Sequence, residues 1–105
     1  MEGAFVWYET NKAETETDYG YTAVPGKCHT DKSKGVTNDK GYVKVAKGSS
    51  SGLMASIEAG PTSIGIEASS MVFMAYTSGI LNLNSGCGTI PDHGALAVGY
   101  GTENG

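Results

Sequence analysis

Four side chains in this sequence are suited to nucleophilic attack or to proton transfer near neutral pH: Cys28, Cys87, His29 and His93. A cysteine thiolate attacks carbonyl carbon once a histidine has taken its proton, and imidazole is the side chain whose ordinary pKa allows that exchange near neutrality. The same residue types bind zinc, but zinc sites draw on clustered spacings such as C-x-x-C. Here the cysteines stand fifty-nine positions apart and neither histidine belongs to a cluster, so no metal and no cofactor are expected. Spacing alone leaves open whether Cys28 and Cys87 pair with each other. His93, directly after Asp92, fits a structural hydrogen-bonding residue as well as it fits a proton carrier.

The elements around these residues can be read from periodicity. Ala95 to Tyr100 is small, apolar and continuous, which predicts a strand buried on both faces with His93 at its entrance. Thr62 to Ala68 predicts a second strand, with Ile64 and Ile66 on one face and Gly65 leaving the other open. Ser49, Ser50 and Ser51 can cap a helix running through Leu53, Met54, Ile57 and Ala59, and Gly60-Pro61 ends it, glycine permitting a left-handed turn and proline blocking continuation. Gly41 to Ala46 alternates as a half-buried strand does. Lys12 to Lys40 reads as irregular loop anchored by Tyr19 and Tyr21, and Asn82 to Gly88 as a tight loop after the apolar cluster Met71 to Tyr76. Ala4, Phe5, Trp7 and Tyr8 give a short amphipathic helix that begins at or before residue 1. With no capping residue ahead of Met1, the chain reads as cut from a longer one.

Bulk properties narrow the function classes. The 105 residues form at most one domain, 39% hydrophobic and 17% charged with sixteen glycines, a globular and loop-rich composition. A net charge of -4, with lysines scattered from Lys12 to Lys47, excludes a nucleic-acid partner and suits a basic partner or an acidic compartment. No apolar run approaches the roughly 20 residues of a membrane span. The first residues include Glu2 and Glu9 rather than a basic and then apolar leader, so no membrane partner is expected.

Several segments follow one another in a telling order: Tyr19-Gly20-Tyr21, then Cys28, then Gly60-Pro61-Thr62-Ser63-Ile64, then Tyr76-Thr77-Ser78-Gly79-Ile80, then Asp92-His93-Gly94-Ala95-Leu96-Ala97-Val98-Gly99-Tyr100-Gly101. Together, from about Phe5 to Gly101, they resemble the papain and cathepsin family of cysteine proteases. In that family a tyrosine-rich turn leads to a cysteine, Gly-Pro opens a P-V-S-V strand, Y-x-x-G-I-Y follows, and the catalytic histidine stands in D-H-A/G-V-x-x-V-G-Y-G. Gly20 departs from the family's usual proline, and Leu81 from its usual tyrosine.

The resemblance implies an α+β chain, a partial papain-like fold made mostly of the right-hand β-barrel domain with short flanking helices. Residues 1–105 would form a single partial peptidase domain. His93 would be the general base and acid of a Cys-His pair that hydrolyses peptide bonds. Gly65, Pro91, Asp92 and Gly94 would border the pocket for the substrate side chain two positions before the cleaved bond, preferring a bulky apolar group. Met1 would be either a pocket-lining position just after the family's double glycine or a start codon. Cys28 and Cys87 would belong to disulfides whose partner cysteines lie elsewhere in the full enzyme.

The family's nucleophile in C-G-S-C-W, the glutamine before it and the asparagine of N-S-W-G have no counterpart here. Cys28 does not replace the nucleophile, since it lies among turn residues with no tryptophan and helix after it. The chain alone is therefore expected to be inactive, a segment of a lysosomal, vacuolar or secreted endopeptidase acting on peptide or protein substrates. One alternative is a catalytically dead short protein that binds or self-associates through exposed strand edges. Another is an unrelated small domain held by a Cys28–Cys87 disulfide.

Overall fold

The computed structural model of the chain describes residues 1–103. It has mixed helices and a two-stranded antiparallel sheet, an α+β arrangement, divided into two compact units, Met1–Lys44 and Val45 onward. No side chain among the described residues is fully buried, so both units are held by half-buried contacts and by hydrogen bonds.

In the first unit, helix α1 spans Glu2–Thr10, with Met1 as an N-cap that provides no side-chain hydrogen bond. Its C-terminal turn is closed by Asn11, whose side-chain amide donates to the Trp7 carbonyl at 2.9 Å. The predicted loop follows, drawn together by one antiparallel bridge between Ala13 and Thr37 and by a close approach of Gly35 to Lys12 that leaves no room for a side chain at 35. Tyr19 is an anchor as expected, half-buried and stacked on His29 with ring centroids 4.0 Å apart. Tyr21 is not, being 86% exposed. Ala23 adopts a left-handed backbone, φ 58°.

The strand expected over Gly41 to Ala46 does not form. Alternation marks a segment that can pair, but a ladder needs a partner for its amides, and among the described residues this segment has none. Tyr42 instead stacks on Phe5 at 5.6 Å, and Val43 is left 92% exposed.

In the second unit, helix α2 spans Ser50–Ala59 and opens as the serines predict, with the Ser49 hydroxyl accepting from the Gly52 amide at 3.0 Å. Gly60 ends it with φ 157° and ψ 175° rather than in the expected left-handed turn, an extended positive-φ form open essentially to glycine alone. That swing delivers the chain at once into strand β1, Thr62–Ile66, and a hydroxyl pair, Ser56 with Thr62 at 2.8 Å, ties helix to strand.

Short helix α3, Met71–Met74, is capped by Ser70, giving a definite element to the apolar cluster. The Tyr76 hydroxyl then donates to the Gly79 carbonyl at 2.6 Å, with Gly79 at φ 89°, which accounts for tyrosine and glycine at a spacing of three in that motif. The Asn-rich loop contains a 3-10 turn, Leu83–Ser85, in which Asn82 and Ser85 cap each other. Strand β2, His93–Ala97, pairs with β1. The predicted run Ala95 to Tyr100 is not buried on both faces, since Leu96 in the strand and Val98 just after it are 56% and 75% exposed, and among the described residues nothing packs on that side of the two-stranded ribbon. After β2, the Tyr100 hydroxyl hydrogen-bonds the Glu58 carboxylate on α2, which raises the phenol's pKa.

Candidate active site

The ladder of β1 and β2 fixes where the predicted site residues of the second unit stand. Ile66 pairs with His93, Gly65 with Gly94, Ile64 with Ala95, Ser63 with Leu96 and Thr62 with Ala97. Directly opposed residues share a face, so Thr62, Ile64, Ile66, Ala95 and Ala97 form the half-buried face, with His93 at its open end. Ser63, Gly65, Gly94 and Leu96 form the exposed face. The Gly65–Gly94 pair leaves one rung of that face without side chains. The imidazole of His93 is exposed and, among the described residues, forms no hydrogen bond.

The loop leading into His93 is held by two carboxylates. Asp92 Oδ1 accepts from the Ala68 amide at 2.7 Å, and the Asp92 amide donates to the Ile66 carbonyl at 3.0 Å. Hydrogen bonds from the Ala68 amide and then from Ser69 keep the Asp92 carboxyl below the usual carboxylate range. Glu67 Oε2 accepts from the Ile90 amide at 2.9 Å, and Gly88 lies so close to this carboxylate that a side chain there would collide with it. Pro91 therefore sits exposed between two tethered amides, those of Ile90 and Asp92. Of the residues expected near a substrate pocket, Gly65, Pro91, Asp92 and Gly94 thus gather around the β1 end and the β2 start. Met1 belongs to the first unit, at the head of α1.

Glu67 and Gly88 were not recognised in the sequence. A glutamate just after a strand and a glycine in a Gly-rich loop look generic, and only their meeting, twenty-one positions apart, gives them a role.

Both cysteines are free thiols, Cys28 exposed and Cys87 half-buried. Cys28 lies 3.2 Å from the Thr30 hydroxyl, and hydrogen bonds from that hydroxyl and then from the Thr30 amide lower the thiol's pKa. It borders an open cleft of about 620 Å³ in the first unit, with Trp7, Tyr8, Lys12, Glu14 and Tyr19 among the lining residues. Two of the cleft's carboxylates already serve the backbone, Glu14 accepting from Asp31 and Glu16 from Tyr21, each at 2.9 Å. Among the described residues, no three His, Cys, Asp or Glu side chains gather as a metal site, and no helix is long and apolar enough to cross a membrane.

Comparison with known proteins gives a consistent answer. The model of the papain family cysteine proteases matches residues 1–105. Cysteine proteinase 7 of Dictyostelium discoideum is 43% identical over 107 residues, covering 100% of this chain and 23% of the relative. The oryzain beta chain of Oryza sativa subsp. japonica is 38% identical over 107 residues, again covering 100% of this chain and 22% of the relative. Digestive cysteine proteinase 2 of Homarus americanus is 36% identical over 107 residues, covering 100% of this chain and 33% of the relative. The chain thus spans about a quarter of the length of the first two relatives and a third of the last. With the whole sequence matched by one family model, and with the D-H-G motif placed at the head of a strand paired to the Gly-Pro strand, this chain belongs to the papain family of cysteine proteases.

Proposed function

We propose that this chain supplies the histidine half of a cysteine endopeptidase's catalytic pair, with His93 as general base and acid. The observation that carries the reading is the position of His93: exposed at the first residue of β2, paired with Ile66, and reached by a loop tethered on both sides of Pro91. A proton carrier must be accessible to substrate and thiol, yet held in place. His93 Nδ1 or Nε2 would take the proton of a cysteine thiol, the thiolate would attack the scissile carbonyl, and the imidazolium would return the proton to the leaving amine.

The nucleophile would come from a part of the protein that this sequence does not contain. Cys28 and Cys87 would be disulfide positions of that longer protein. Residues 1–105 would be one partial peptidase domain belonging mostly to the β-barrel half of the fold. Gly65 and Gly94, with Pro91 and Asp92 beside them, would border a pocket for a bulky apolar substrate side chain. A lysosomal, vacuolar or extracellular site of action fits such a protease. By itself the 105-residue chain would not hydrolyse peptides at an enzymatic rate, since losing one member of a catalytic unit removes most of the acceleration.

The test is the intact mass of the natural product, captured with an antibody against this segment. A mass well above 10.8 kDa, with peptidase activity that falls by several orders of magnitude on His93→Gln, is the expected result. A mass of 10.8 kDa without activity would replace this reading with a binding or self-associating module.

A further inference from the structure

We infer that Glu67 is a positioning residue for the segment Ile90–His93, acting through the Ile90 amide, and that Gly88 is required because it leaves space for the Glu67 carboxylate. The inference rests on the role proposed above for His93.

Strand pairing alone fixes His93 only through its Ile66 partner, at the last rung of a five-rung ladder, where strands fray most readily. The Asp92 amide on the Ile66 carbonyl extends that hold by one residue. Beyond it comes Pro91, which has no amide hydrogen to give, so an anchor on its far side has to come from Ile90. Glu67 provides that anchor. It follows Ile66 directly, so β1's own exit places its half-buried carboxylate beside the loop, where Oε2 receives the Ile90 amide at 2.9 Å. A carboxylate accepting a backbone amide forms a stronger bond than a neutral acceptor does. Pro91 is then bracketed by two held amides and its φ is fixed by its ring. The rim of the site is stiff from Ile90 to His93 without any contribution from a packed core.

Gly88 is the steric half of the device. An ideal Cβ on Gly88 would fall on the Glu67 carboxylate, so a larger residue would move this flexible side chain from its present place against Ile90. Glu67 would touch neither substrate nor the reacting atoms. Its effect on chemistry is through where Pro91 and His93 are held.

The experiment uses the 105-residue chain, labelled with 15N, and compares Glu67→Ala, Glu67→Gln and Gly88→Ala. Two quantities are read: the hydrogen-exchange rate of the Ile90 amide, and the line shape and position of the His93 ring 15N signals. Loss of the anchor should speed Ile90 exchange by about tenfold in Glu67→Ala and in Gly88→Ala. The same two variants should shift or broaden the His93 ring signals, while the Leu53 and Ile57 amides of α2 stay as they were. Glu67→Gln keeps an acceptor oxygen, though a weaker neutral one, and should hold both readouts to within about threefold of the parent chain. A purely structural role would not give rescue by glutamine together with a change at the His93 ring. If Glu67→Ala fails to fold, Gly88→Ala against Glu67→Gln decides by the same criteria. Ile90 exchange and His93 signals unchanged in the folded loss variants, or a Glu67→Gln chain that behaves like Glu67→Ala, would overturn the inference. None of these readings uses peptidase activity, so a confirmed anchor in a protein without activity would refute only the proposed function, and the reverse outcome only the anchor.

Discussion

From Met1 to Lys44 the backbone is organised by one nine-residue helix, one isolated bridge and single side-chain hydrogen bonds, some local, such as Asp31 to Ser33 and Thr15 to Asp18, and some reaching further, such as Glu14 to the Asp31 amide. From Val45 onward, order comes from a side-chain-capped helix, a five-rung ladder and carboxylates bonded to amides more than twenty positions away. The proposed chemistry lies in the second of these regions. Local turns fix a loop's shape, but only long-range backbone pairing fixes one residue against another far away in sequence, and a proton carrier needs the latter.

The largest change should follow Gly60→Ala. An alanine forced to φ 157° costs about 1–3 kcal/mol, enough to reorganise the junction of α2 and β1. Hydrogen exchange should show the β1–β2 amides losing protection while the Asn11 and Ala13 amides of the first unit keep theirs. Loss of protection in both regions would mean that the two unfold as one, and would break the contrast. Ser49→Ala should cost about 1 kcal/mol by leaving the Gly52 amide without its acceptor, with Ser49→Asp restoring most of it, as read from the thermal midpoint of helical ellipticity.

Acid should act on both regions, through different amides. The Asp92 carboxyl has a folded pKa below its ordinary value, so its contribution is fully present above that ordinary value and is lost as pH falls through the depressed one. Amide shifts at Ala68 should follow this titration. In the first unit, Asp31, lowered by Ser33, and Asp18, lowered by Thr15 and then Lys34, behave with the same sign, and the Ser33 amide should report it. The smallest effect expected is at Cys28. Thr30→Val removes the hydroxyl that stabilises the thiolate, so the thiol pKa should rise and alkylation by iodoacetamide at neutral pH should slow by about two- to threefold.

The contrast between the regions also marks what the sequence made legible. Ser49 as a cap, Gly60-Pro61 as a stop and the β1 alternation were all readable, because each depends on residues within one turn or one pleat. His93 was readable as a candidate because its motif is contiguous. Gly41 to Ala46 misled because alternation reports a tendency to pair and not the presence of a partner. The extent and exposure of β2 were misjudged for a related reason, since an apolar run predicts a buried strand only where something covers it. Glu67 and Gly88 stayed hidden because neither carries a local signal, and their fit depends on a loop closing over a strand end.

The ladder that orders β2 also has a cost for handling the protein. From His93 to Thr102 the sequence contains no Lys, Arg, Asp or Glu, so the net charge of -4 lies entirely outside this ten-residue stretch. Colloidal repulsion acts where the charges are. Leu96 on the strand and Val98 just after it, both exposed in a stretch without charged side chains, should set a solubility ceiling that the isoelectric point does not foretell. A lysine at Leu96, on the exposed face, should raise that ceiling more than several lysines added elsewhere on the chain.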